Sequence, residues 1–314
     1  MYTVPMISSR VLCISIILTA LLHGQTDNSA PVGTGQTPAV MESDPGLPTH
    51  TIYRPKDMAA RSGQKFPVIA WGNGACVNIG NRFRSFLTEI ASHGYVILAL
   101  GPLGPASFEA APMTNPPVAR PGETVTIPSS APPDTRSAQL IDGLNWIIGE
   151  NGRPASRYYR KLDTAKIAIM GQSCGGVQAI EASADPRVAL TVAWNSGLFQ
   201  KPSVAMENIS KDALKRLHAP IAYVTGDQPN DIAYPNAADD FERIQNVPVL
   251  WAWRDGLQHI GTYREPNGGE LGKIAVALLD WKFKGDTAAG KMFSGKDCGL
   301  CRDPRWHVSN KRFE

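Results

Sequence analysis

The chain has 314 residues, 43% apolar and 19% charged, with a net charge of +3. That length and apolar content suit one large domain with short extensions. So weak a charge balance gives no basis for a nucleic-acid partner or for adhesion to an anionic membrane.

The N-terminus reads as a targeting segment. Arg10 precedes an apolar run over 11–22, and His23, Gly24 and Gln25 follow. A basic residue ahead of a core of that length is a secretory-signal pattern, too short to span a bilayer. The expected leader is residues 1–24, so the expected location is extracellular or periplasmic, with no membrane span. Cys76, Cys174, Cys298 and Cys301 then remain, and an even number in an oxidising compartment favours disulfides. Cys298 and Cys301 have the spacing of half a zinc site, but no second Cys or His pair accompanies them. A local disulfide is therefore expected there, and no metal.

Residues 25–47 are rich in Pro, Gly, Ser and Thr and read as a flexible lead-in. An early strand is expected over 50–54, stopped by Pro55, and a core strand over 66–71 that ends on Gly72, Asn73 and Gly74. Phe83, Phe86, Leu87, Ile90 and Ala91 recur on one helical face, and 95–100 is the next strand. Residues 101–133 are proline-rich and aperiodic, a loop long enough to cover a site. Leu140, Ile141, Leu144, Ile147 and Ile148 mark another amphipathic helix. A buried-strand run over 167–170 turns through 171–175 into a helical segment over 177–184. Further strands are expected over 188–194, 221–225 and 247–253, with helical patterns around 211–217 and 237–244. Leu271, Ile274, Leu278 and Trp281 form a closing helix stopped by Gly285. Trp251 and Trp253 alternate on the last strand and are expected to face one packed layer. The alternation of strands and helices predicts an α/β domain over 48–287, with a mostly parallel central sheet and helices on both faces. Functional groups in such a domain sit at the carboxyl ends of the strands. Residues 288–314 read as a C-terminal extension.

Gly171-Gln172-Ser173-Cys174-Gly175, between a strand and a helix, has the form of a nucleophile elbow. A serine raised on a strained turn leaves no room for β-carbons two residues to either side. The following helix points its N-terminal amides where negative charge develops in acyl transfer. The competing reading is a serine that merely caps the helix. A triad of this kind runs Ser, then Asp or Glu, then His. Three histidines lie downstream. His218 sits just before a strand and reads as structural, and His307 lies in the polar tail. His259 follows the last expected strand in a loop, the place for a base. The acid should follow the 221–225 strand, where Asp231 is favoured and Asp227, close enough to cap the turn, is the alternative. The oxyanion amides are expected from Cys174 and Asn73, with Gly74 as the alternative to Asn73. If those amides converge, Cys76 and Cys174 come within disulfide reach, and a Cys76–Cys174 bridge is expected. The alternative is two buried thiols.

The runs AWGNGACVN, EIASHGYVILAL, GQSCGG, ADPRV and AWNSG resemble the dienelactone-hydrolase-like branch of the α/β hydrolases. Within it, the arrangement is similar to secreted bacterial cutinases and polyester hydrolases, over roughly residues 51–285. The resemblance implies Ser173 as nucleophile, His259 as base, Asp231 as acid, and Asn73 and Cys174 as oxyanion donors. It places Trp194, with Gly74, on the substrate side, Trp194 as a wall of an acyl or aromatic subsite. Two departures stand out. Cys174 replaces the usual apolar Met or small residue, and the spacing from Gly226 to Asp231 is one longer, which keeps Asp227 in play. The implied activity is that of a secreted, monomeric serine ester hydrolase, without a cofactor, acting on a small or polymeric ester. A serine peptidase of the same fold and a non-catalytic binding protein of that fold are the alternatives.

Overall fold

The computed structural model describes residues 32–58, 63, 65–107, 115–116 and 131–314, together with Met1 and the short strand Thr26–Asp27. The expected leader beyond Met1, and most of the 101–133 loop, lie outside these residues.

Among the described residues ten strands form one sheet: β1 (Thr26–Asp27), β2 (Ala39–Glu42), β3 (His50–Pro55), β4 (Phe66–Gly72), β5 (Val96–Leu100), β6 (Leu162–Gln172), β7 (Leu190–Trp194), β8 (Ile221–Gly226), β9 (Val249–Arg254) and β10 (Trp306–Lys311). Their order is β1-β2-β3-β5-β4-β6-β7-β8-β9-β10. The six from β5 through β4 to β9 are parallel, while β1, β2, β3 and β10 run antiparallel at the flanks.

The sequence of β4 shows why the sheet is covered on both sides. Its seven residues are all buried. Ile69 and Trp71 enter one core with Phe86 and Ile90 of helix Arg84–Ser92 and Leu271 and Leu278 of helix Gly269–Lys284. Val68 and Ala70 enter another with Leu140 and Leu144 of helix Ser137–Gly152 and Ala179 of helix Cys174–Ala182. A near-continuous apolar run is what a parallel strand with helices on both faces requires. A third core packs helix Tyr234–Arg243 against β8 and β9 through Phe241, Tyr223 and Trp251. Among the described residues no helix is long and apolar enough to cross a membrane.

Both ends differ from expectation. The flexible lead-in contains β2, whose Val40 and Met41 are buried and whose ladder pairs with β3. Its Glu42 carboxylate accepts from Arg54 Nε and Nη2, both at 2.8 Å, and from Arg157 Nη1 at 2.9 Å. Partners so distant in sequence turn a turn-like composition into an edge strand. The sheet also continues past residue 287. Trp306 buries its ring and donates to Glu270 Oε1 at 2.8 Å, and β10 pairs antiparallel with β9. His307 therefore stacks on Trp253, ring centroids 5.1 Å apart, and is no part of a polar tail. Trp251 and Trp253 lie together at 4.3 Å, in one layer as expected. Residues 211–217 hold a 3-10 turn, Lys211–Arg216, capped by Ser210. Cys298 and Cys301 form a local disulfide, Cα–Cα 4.9 Å.

Candidate active site

The groups singled out in the sequence follow the carboxyl ends of β4, β6, β7, β8 and β9, which are neighbours in the sheet. Parallel register brings these ends to one rim.

Ser173 joins β6 directly to helix Cys174–Ala182 with φ +54° and ψ −119°. A non-glycine residue there is strained by the order of 1–3 kcal/mol and persists only when its surroundings fix it. The flanking glycines do so. A Cβ on Gly171 would lie 2.2 Å from the Gly175 carbonyl oxygen, and one on Gly175 would lie 2.1 Å from the Gly72 carbonyl oxygen. The start of the helix therefore crosses directly over the ends of β4 and β6. Ser173 makes no side-chain cap to its helix. Its hydroxyl turns toward His259 instead.

His259, buried in the loop after β9, completes a hydrogen-bonded chain. Its Nε2 lies 2.8 Å from Ser173 Oγ and its Nδ1 lies 2.6 Å from Asp231 Oδ1. A carboxylate only accepts, so Nδ1 carries the proton, and in the neutral ring Nε2 is left to accept from the serine hydroxyl. Asp231 is wholly buried, yet four donors meet it. Besides His259, Oδ1 takes the Ala233 N–H at 2.9 Å, while Oδ2 takes the Gly226 N–H at 2.9 Å and Asn195 Nδ2 at 2.7 Å. Burial pushes this carboxyl up, but the bond to His259, its charge and the two backbone amides together hold it below the ordinary Asp value.

Asp227 does other work. Its Oδ1 accepts from Asn230 Nδ2 at 2.8 Å and the Gly256 N–H at 3.2 Å, so it fastens the turn on the outer side. His218 is exposed. Neither joins the chain of Ser173, His259 and Asp231.

The turn after β4 is locked by Asn73. Its Nδ2 donates to the carbonyls of Val77, Ile79 and Leu100 at 3.1, 3.0 and 2.6 Å, and its Oδ1 accepts from Trp71 Nε1 at 3.0 Å. The Asn73 amide nitrogen lies where a Cβ on Gly175 would come within 2.6 Å, so this turn abuts the helix start that carries Cys174. Among the described residues neither the Asn73 N–H nor the Cys174 N–H donates to another protein group. Two free amides thus sit beside the serine. Gly74, one residue on, is backed against Gln172, whose Oε1 would lie 1.9 Å from a Cβ there. The two segments are also joined covalently, by a Cys76–Cys174 disulfide with Cα–Cα 5.3 Å.

The expected subsite wall is elsewhere. Trp194 is completely enclosed, edge-on to Phe86 at 5.3 Å and beside Tyr263 at 6.5 Å. The strand alternation of β7 turns its ring inward onto helix Arg84–Ser92, so it is core and not a wall. Four further residues shape the rim. Gln172 Nε2 donates to the His259 carbonyl at 3.0 Å, and Ser196 Oγ donates to the Ser173 carbonyl at 2.6 Å. Asn195 binds Asp231 and accepts from the Tyr263 hydroxyl. A signal for three of them existed: Gln172, Asn195 and Ser196 are polar residues at or just past the ends of parallel strands. Tyr263 carried none. From the 101–133 loop, Asn115 donates to Gln258 Oε1 at 2.7 Å and accepts the Ile260 N–H at 3.1 Å. Asn115 thus grips the His259 segment on both sides.

No protein-family model matches the chain, and no curated protein matches it. Among the described residues, no group of three or more His, Cys, Asp or Glu side chains is placed to hold a metal ion.

Proposed function

We propose that the protein is a secreted serine ester hydrolase of the α/β-hydrolase type that works through an acyl-enzyme. One observation carries the reading: Ser173 Oγ, on a positive-φ turn, lies 2.8 Å from His259 Nε2, whose Nδ1 is held at 2.6 Å by a buried carboxylate. In this reading Ser173 Oγ attacks the ester carbonyl carbon while His259 Nε2 takes its proton. Asp231 keeps the proton of the ring on Nδ1 and stabilises the imidazolium. The N–H groups of Asn73 and Cys174 donate to the oxyanion as it forms. His259 then protonates the departing alcohol, and the acyl group stays on Ser173 until a water, activated by the same imidazole, releases the acid. The carboxylate is already saturated with donors, so it can orient the ring without itself taking the proton.

Secretion is part of the proposal. It is supported by the leader-like N-terminus and by two disulfides, which persist in oxidising compartments. Small and polymeric esters are both candidate substrates.

The test is pre-steady-state hydrolysis of a short-chain p-nitrophenyl ester. A burst equal to the enzyme concentration, and a phosphonate adduct found on Ser173 by mass spectrometry, are expected. Undiminished hydrolysis after complete Ser173 modification would overturn the proposal.

A further inference from the structure

Asp231 turns Oδ1 to His259, and its Oδ2 accepts, besides the Gly226 N–H, from a side-chain partner that the proposed chemistry does not need. That partner is Asn195 Nδ2, at 2.7 Å, immediately after β7. Three features show that this amide is held in place. Asn195 is completely buried, and its backbone sits at φ +40°, a region where asparagine is tolerated and most side chains are not. Its Oδ1 accepts from the hydroxyl of Tyr263, which fixes the amide so that Nδ2, and not Oδ1, faces the carboxylate. The Tyr263 ring is in turn clamped edge-on by Phe83 at 5.3 Å and Phe86 at 5.1 Å. Tyr263 lies four residues beyond His259, so one side chain anchors the base loop in the core and orients the amide behind the acid.

We propose that Asn195, oriented by Tyr263, is a positioning residue that sets the proton affinity of the Asp231–His259 pair. The inference rests on the hydrolase reading only for its kinetic readout. The effect is electrostatic. The positive end of the Asn195 amide dipole points at Oδ2 of Asp231, the oxygen that the imidazole does not use. There it opposes the uptake of a proton by the pair, whichever of the two atoms receives it. Removing it must raise the pH at which the pair gains a proton. The hydroxyl of Tyr263 polarises the amide in the same sense, so its loss acts in the same direction with smaller amplitude.

The titratable groups on the surrounding segments do not compete for this place. Tyr263 is held far above the ordinary tyrosine value, by burial first and by the charge of Asp231, so it stays a neutral donor. Asp227 is turned outward to Asn230 and Gly256. Tyr234, from the helix after Asp231, is raised by burial and by Asp227 and Asp255, and Asp255 itself pairs with His307.

The experiment compares wild type with Asn195→Gly, Asn195→Asp and Tyr263→Phe. Glycine removes the amide and relieves the positive φ. Aspartate keeps an acceptor for Tyr263 but puts a second carboxyl against Asp231. Two readouts are taken: the pH profile of kcat/KM on a short-chain ester in a pH-stat, and a titration of the His259 imidazole nitrogens by NMR, assigned with His259→Ala. The acid limb and the nitrogen titration are both expected to move to higher pH. The shift should be about half a unit to one unit in Asn195→Gly, more in Asn195→Asp and less in Tyr263→Phe. A uniform fall in rate with both pH midpoints unmoved in Asn195→Gly and Tyr263→Phe would overturn the inference. Either variant suffices if the other fails to fold. Should Ser173→Ala hydrolyse the ester as fast as wild type, the hydrolase reading fails alone, and the nitrogen titration still decides the role of Asn195.

Discussion

Cys76 and Cys174 are joined by a disulfide that spans 98 residues of sequence with Cα–Cα 5.3 Å. It ties the turn carrying Asn73 to the first residue of the helix that follows Ser173. On the chain-entropy model, closing so long a loop stabilises the fold by about 4 to 5 kcal/mol. Its nearer effect is local, because both proposed oxyanion amides belong to the segments it joins.

Reduction of this bond should therefore remove activity before it removes structure. Titrating the folded protein with a phosphine reductant is expected to abolish ester hydrolysis while far-UV circular dichroism is unchanged. Cys76→Ala with Cys174→Ala should behave alike. Peptide mapping of the non-reduced protein should give a Cys76–Cys174 linked peptide. Two alkylatable thiols at these positions in the unfolded, unreduced chain would refute the point.

Ser173→Ala and His259→Ala should each lower kcat by a factor on the order of 10⁴ or more, and the double variant should be little worse, because the residues act as one unit. Additive losses would mean that they act separately.

Asp231→Asn should cost on the order of 10³ to 10⁴ in kcat, since an amide in place of the carboxylate favours the wrong imidazole tautomer. Asp227→Asn should stay within about tenfold, because among the described residues its carboxylate bonds to Asn230 and Gly256 and to neither Ser173 nor His259. Comparable thermal melts for the two variants make the kinetic comparison fair. A larger loss from Asp227 would reassign the acid.

Gly175→Ala forces a methyl group to within 2.1 Å of the Gly72 carbonyl oxygen, a backbone atom that cannot rotate away. The helix start must shift, carrying the Cys174 amide with it. Misplacement of about 1 Å in such a site costs on the order of 10² in rate, and overpacking of this kind costs roughly 1–3 kcal/mol of stability. Kinetics and urea denaturation of the same preparation measure both.

A pH effect on stability should come from Asp240, away from the rim. Burial pushes its carboxyl up to about 6, against the opposing pull of Lys211, the Leu198 N–H and the Tyr223 hydroxyl. In the unfolded chain an Asp titrates near roughly 3.9. Between those values the native state holds the extra proton, so this group's contribution is complete at low pH and is lost as pH rises through about 6. Urea midpoints of wild type should thus fall relative to Asp240→Asn between about pH 4 and 6.5. Parallel curves would show that the carboxyl titrates alike in both states.

What the sequence determined by itself was the layered α/β order and which loops hold the candidate site. Runs such as 66–71 and 167–170 are legible because a parallel strand covered on both faces must be apolar along its length. Ser173 between Gly171 and Gly175, and His259 after the last parallel strand, are legible because local sequence encodes the tight turn and the strand end. Only the tertiary structure decided the rest. Asp227 and Asp231 lie in one turn and look alike in sequence. They part because Asp231 finds His259 at 28 residues' distance and Asn195 at 36, inside a buried site. Trp194 sits at a strand end like a site residue, yet pleat alternation turns it onto Phe86. The strands Ala39–Glu42 and Trp306–Lys311 read as lead-in and tail because edge strands draw their pairing from distant ladders. Tyr263 reaches Asn195 across 68 residues. A local pattern records how far a residue is buried along its own element, whereas the direction of a loop side chain is set by partners that only the folded sheet brings to the same rim.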